Sequence, residues 1–220
     1  MRRRRDGAAA GESPADELPA QGSTDESTAR GIGPHDLLSP GVAALAEDPA
    51  YVDLGALRVK MRQDLELRIN TDPNSGAVLA VVFADAAGSV ELRVFAAPRS
   101  GGVWEGVRSE IVEQLSKRGG TVRERDGDYG VELVAALPVT LPDGRSGAQP
   151  SRIVGIEGPR WLLRATFLGR PAVAPEPDGA LESALRDVVV VRGTEPMAPR
   201  EPLVLRLPAN AQPYTAPPPA

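Results

Sequence analysis

The sequence predicts an α+β fold: an antiparallel, meander-type β-sheet of about seven to eight strands with two packed α-helices, and disordered N- and C-terminal tails. Three observations predict it. Apolar and polar residues alternate with a period of two through most of the chain between residues 65 and 167, the signature of half-buried strands. Two stretches break that alternation with spacings of three and four, near residues 103–118 and 178–188. The gaps between successive apolar runs are mostly short turns, whereas a parallel crossover needs about a dozen residues or more.

Taken in order, residues 1 to 34 mix arginines, carboxylates, Ser, Gly and Pro with hardly any large apolar side chains, a composition that cannot offset the entropy of ordering. The domain is expected over 35–207. Its first strand is "LELRI", where Leu65, Leu67 and Ile69 alternate with Glu66 and Arg68; "DPNSG" supplies the turn and "AVLAVVFA" the second strand, apolar on both faces and so expected in a central position. "DAAGS" turns into "VELRVFA". Then Val103, Trp104, Val107, Ile111 and Leu115 define a helix with acids early, Lys117 and Arg118 late, and Gly119 where a left-handed cap belongs. A second meander follows: "TVRER", "VELVAALPV", "SRIVGIE" and "WLLRATFLG", joined by "DGDYG", "PDGRSG" and "GPR". Asp178 is the expected N-cap of a second helix carrying Leu181, Ala184, Leu185 and Val188, while Val188 to Val191 reads equally as helix end or strand. "LVLRL", 203–207, is expected as an edge strand, and residues 208–220 as a disordered Pro/Ala-rich tail.

Composition narrows the chemistry. The chain has 220 residues and no cysteine, which removes disulfides, thiolate metal sites and cysteine nucleophiles. A single histidine, His35, makes a Ser-His-Asp triad or a multi-histidine metal site a poor fit. No catalytic residues, metal ligands or cofactor are therefore nominated. Net charge is -5, and of 25 basic residues only Lys60 and Lys117 are lysine, a bias pointing to a GC-rich genome. No apolar run approaches the length of a membrane span, so no membrane insertion and a cytoplasmic location are expected. The arginines at 2 to 5 could attract anionic lipid, but carboxylates follow them closely and an ordinary solvated start is the simpler reading.

Four places could carry binding. Arg99, Ser100, Gly101 and Gly102 precede a helix, where free N–H groups and glycines suit a phosphate; Glu105 and the missing Lys-Ser/Thr pair favour a Ser-capped helix start instead. Arg145, Arg152, Arg160 and Arg164 lie in the second meander and could gather into a basic groove, or form a solvated face. Arg192, Glu195 and Arg200 stand among prolines in "RGTEPMAPREP", either a stiff connector or a partner-binding ledge. Glu124, Asp126 and Asp128 lack the rest of a calcium loop and read as a hairpin tip, and Trp104 and Trp161 read as core anchors.

Three stretches, "FAAPRSGGVWEGVRSEI", "GPRWLLRATFLGR" and "RDVVVVRGTEPMAPREPLVLRLP", together resemble the actinobacterial family catalogued as domain of unknown function 3710 over about residues 35 to 208. The resemblance implies a label and a host lineage and no catalytic residues. As architecture alone, an antiparallel sheet closed by helices is similar to the photosystem extrinsic P protein and the Ran-binding Mog protein. The function expected is a non-catalytic accessory or protein-interaction domain with an unidentified protein partner; the alternative is a binder of phosphorylated small molecules or nucleic acid through the Arg/Ser-Gly-Gly loop.

Overall fold

Alternation writes itself directly into the main sheet. The computed structural model describes residues 33–141 and 143–208. In chain order its elements are β1 (His35–Asp36), α1 (Val42–Ala46), β2 (Tyr51–Asp53), β3 (Leu57–Lys60), β4 (Glu66–Thr71), β5 (Val78–Ala84), β6 (Gly88–Ala96), α2 (Val103–Lys117), β7 (Thr121–Gly127), β8 (Gly130–Thr140), β9 (Ser146–Gly158), β10 (Trp161–Gly169), α3 (Arg170–Val173), α4 (Ala180–Arg186) and β11 (Val189–Val190). Seven strands form one antiparallel sheet in the order β4-β5-β6-β10-β9-β8-β7. The two expected meanders are both present, and they join through the last strand of each, β6 against β10. Helix α2 therefore carries the chain from the middle of the sheet to its far edge.

Register puts Trp161, Leu163, Ala165 and Phe167 on one face of β10 with Val94, Leu92 and Val90 of β6 opposite Leu163, Ala165 and Phe167. This face makes the main core with Leu54, Leu57 and Val59 before the sheet and Leu181, Leu185 and Val188 after it. The second face carries a smaller core, in which Val103, Trp104 and Ile111 of α2 meet Leu133, Ile153 and Leu162. Helix α2 ends as expected: Gly119 adopts φ 75°, with Gly120 N–H donating to the Leu115 carbonyl at 2.9 Å and Gly119 N–H to Ser116 at 2.9 Å.

Several expectations need correction. A second, four-stranded sheet, β1-β11-β3-β2, covers the main core; its strands are too short for a period-two pattern to reveal. It resolves the Val188–Val191 run, because Val189 and Val190 pair with both β1 and β3. The second expected helix is present as α4, though capped by Gly179 rather than Asp178 and with no side-chain cap, and a short helix that the pattern does not announce, α3, precedes it. "LVLRL" is no strand: Leu205 forms single bridges to Gly55 and Val78, so this stretch ties the two sheets together. Strand β5, expected in a central position, is second from the edge, between β4 and β6, with Val82 in register between Arg68 and Glu91. The tails expected over 1–34 and 208–220 lie outside the described residues except for Gly33, Pro34 and Pro208; Gly33 is buried against the Arg186 carbonyl. The arginines at 2 to 5 also lie outside them. Among the described residues no helix is long and apolar enough to cross a membrane.

Candidate functional site

The loop before α2 turns sharply because Gly101 and Gly102 both adopt left-handed conformations, φ 65° and 76°. The helix start is not capped by Ser100: its N-cap is Gly102, which has no side chain to offer. The cap comes from the neighbouring strand. Glu157 of β9 accepts Gly102 N–H at 2.8 Å and Trp104 N–H at 2.6 Å, one on each carboxylate oxygen. The helix-start N–H groups that an incoming phosphate would use are thus engaged by the protein's own anion, which also suits the positive end of the helix dipole. Replacing Glu157 with Ala is expected to cost about 1–2 kcal/mol, the scale of a lost N-cap, measured by thermal unfolding.

Around this loop the structure assembles residues from two of the sequence's candidate stretches. The two-residue turn Pro159-Arg160 joins β9 to β10, and Arg160 sits at φ 67°, where glycine is the relaxed residue. Its carbonyl accepts Ala97 N–H at 2.9 Å and Arg192 Nε at 2.9 Å. The guanidinium of Arg192 also reaches the Glu195 carbonyl at 3.2 Å, and that of Arg160 reaches the same oxygen at 3.4 Å. Two cations converge on one backbone oxygen, and among the described residues neither forms an ion pair with a carboxylate, although the charge of Glu201 acts on Arg192. Burial, then the charge of Arg160, pushes the Arg192 guanidinium below its ordinary pKa.

Arg200 is the second arginine held left-handed, at φ 70°. Its N–H donates to the Ala96 carbonyl at 2.7 Å, while its guanidinium pairs with Glu110 of α2 and lies against Gly106. Arg99 and Ser100 are exposed, and the Arg99 side chain makes no hydrogen bond or ion pair among the described residues. Arg160, Arg192 and Arg200 thereby form a rim at one end of the sheet, with Arg99 in the adjoining loop, the Glu110 carboxylate paired with Arg200 and that of Glu201 acting on Arg192.

The other candidates go elsewhere. Arg145 pairs with Asp143 on the β8–β9 hairpin at 2.7 Å, and Arg164 lies on the sheet face beside α2, 5.6 Å from the Phe95 ring. Arg152 is buried, only 5% exposed, so the four arginines of the second meander share no groove. Glu124 pairs with Arg108 at 2.8 Å, and among the described residues no group of His, Asp or Glu is placed to hold a metal ion. Trp104 and Trp161 are both core anchors: their Nε1 groups donate to the Val131 carbonyl at 2.7 Å and to buried Asp36 at 2.6 Å.

One constellation escaped the sequence reading. Arg125, Glu132, Arg152 and Glu182 form a chain of ion pairs from β7 to α4, in which Arg152 pairs with Glu182 and reaches Glu132 at 3.2 Å. Arg152 also stands 3.9 Å above the Phe167 ring, and its Nε has no partner. Burial raises the pKa of Glu182, against the lowering effect of Arg152, and burial followed by Glu182 raises that of Tyr129. Glu132 and its neighbour Leu133 are both buried, so both faces of β8 are covered at this point.

The fold and the rim define an α+β domain in which a seven-stranded antiparallel sheet is covered on one face by a small sheet and short helices and over part of the other by one long helix. The chain belongs to the family described as Protein of unknown function (DUF3710), whose model matches residues 33–214. Among solved structures it is similar to cyanobacterial PsbP (CyanoP) from Synechocystis sp. PCC 6803, at 9% identity over 62% of this chain and 87% of that one, with a TM-score of 0.35, too slight a likeness to carry an argument. No curated protein matches the chain.

Proposed function

We propose that the protein is a non-catalytic interaction domain that binds an acidic segment of a partner protein at the arginine rim. The observation that carries this reading is Arg160: an arginine held in a glycine conformation, its guanidinium sharing the Glu195 carbonyl with that of Arg192 and, among the described residues, ion-paired with no carboxylate. A left-handed non-glycine residue costs about 1–2 kcal/mol, and strain of this kind gathers at functional positions. Guanidinium forks match carboxylates in bidentate fashion. The glutamates at the rim favour discrete acidic contacts over a continuous polyanion such as nucleic acid. The alternative, a phosphorylated ligand cradled by the loop, is weakened by the engagement of the Gly102 and Trp104 N–H groups with Glu157.

The test separates stability from binding. Arg160→Gly relieves the backbone and is expected to raise stability by about 1 kcal/mol, while weakening affinity for an acidic peptide. A purely structural Arg160 would give lower or unchanged stability and unaltered binding.

A further inference from the structure

We propose that Arg164 and Arg93 form a second binding site, for a single oxyanion group, on the half of the sheet that α2 leaves uncovered. Arg164 of β10 and Arg93 of β6 are direct cross-strand partners. Such partners stand about 4.5–5.5 Å apart at Cβ, and like charges there repel. The usual relief, a carboxylate paired with both, is not made: Glu91 forms an ion pair with Arg93 and acts on Arg164 through its charge alone. Glu91 is bound to Nε of Arg93 at 2.8 Å and faces Asn70 at 3.3 Å, and Arg164 makes no hydrogen bond or ion pair among the described residues; its guanidinium stands 5.6 Å from the centre of the Phe95 ring. Nor is Arg164 well solvated: burial first, then Arg93, lowers its pKa, with Glu91 acting weakly in the opposite sense.

The surroundings fix the chemistry. Gly155 is the partner of Arg164 on β9, and Trp104 lies over Gly155, so α2 walls one side of the site. Phe95 on β6 adds an aromatic surface, and Thr166 lies opposite Glu91. Two planar forks projecting side by side from one sheet face are matched by a tetrahedral phosphate or a planar carboxylate gripped between them. Arg93 keeps its terminal nitrogens free for this, because the ion pair with Glu91 uses Nε. The site is independent of the rim, whose cations lie around the β9–β10 turn.

The experiment titrates the full chain with inorganic phosphate and, in parallel, with acetate, following the arginine Nε–Hε signals by NMR and the melting temperature. Saturable shifts of the Arg164 and Arg93 signals with either anion are expected, and comparison of the two arms identifies the preferred oxyanion. Arg164→Met should melt no lower than the native chain without added anion, since it removes a desolvated cation, and should lose the saturable part of the anion response. Arg93→Met should lose that response too, and Arg160→Gly should keep it. The general salting effect of phosphate persists in every variant and is subtracted. Arginine signals untouched by both anions, or an Arg164→Met variant that responds like the native chain, would overturn the proposal.

Discussion

Arg152→Ala is expected to lower stability by about 3–5 kcal/mol, the range for breaking a buried ion pair by removing one partner. At ~2–4 °C per kcal/mol for a domain of this size, the melting temperature should fall by on the order of 10 °C. The reason is the geometry of the chain of charges. Glu132 retains Arg125, whose Nε donates to it at 2.8 Å, but Glu182 has Arg152 as its ion-pair partner and would be left buried alone, at 7% exposure. Glu182→Gln, which keeps an acceptor for Arg152 and removes a charge that burial already disfavours, should cost much less.

The deficit of Arg152→Ala should also depend on pH. Burial raises the pKa of Glu182 in the folded state, and loss of Arg152 removes the main effect opposing that rise. An acid whose folded pKa lies above its unfolded value binds protons more tightly when folded, so stability falls as pH rises from the unfolded pKa through the folded one. The deficit of the variant should therefore be smallest in acid, at or below the ordinary carboxylate range, and grow as pH rises toward neutrality. A deficit that stayed the same at every pH would show that the cost comes from lost packing on Phe167 instead.

Gly155→Ala is the second large effect. A Cβ at this position would lie 2.1 Å from Cδ2 of Trp104 and 2.3 Å from Cε3, so the indole ring must leave the surface of β9. That ring is 8% exposed and anchors α2 to the sheet. The expected loss is about 3 kcal/mol or more, between the overpacking scale and that of a lost core tryptophan. Red-shifted tryptophan emission should accompany it, and Trp104→Leu in the same chain should restore part of the stability. A Gly155→Ala protein that unfolds at the native temperature with unshifted emission would contradict this account of how α2 is held.

The same contacts explain what was legible beforehand. Most of the main sheet and α2 follow from periodicity because their larger apolar residues repeat on the face turned to the main core, as Trp161, Leu163, Ala165 and Phe167 do along β10. The small sheet was illegible because its strands have two to four residues, and pairing of Val189 with Arg58 is a tertiary fact with no local pattern. The cap of α2 was read as Ser100, yet it comes from Glu157, more than fifty residues away along the chain. Arg152 stood on what looked like a polar face, and only the packing of α4 across the sheet reveals it as buried. Of the candidate arginines, those of the 97–102 loop, the 158–161 turn and the 192–202 segment converge because Ala96 and Ala97 bond to both Arg200 and Arg160. Short motifs name the residue type; the strand pairing decides which arginines meet.

The central claim is that the rim binds an acidic segment. Fluorescence anisotropy of a labelled glutamate-rich peptide, titrated with the native chain and with Arg160→Gly and Arg192→Met at low and at physiological salt, tests it most directly. The expected result is saturable binding that weakens with salt, is reduced by each rim substitution and is unchanged by Arg164→Met, with Arg160→Gly melting above the native chain. Equal binding by the native chain and both rim variants, or no binding at low salt, would contradict it.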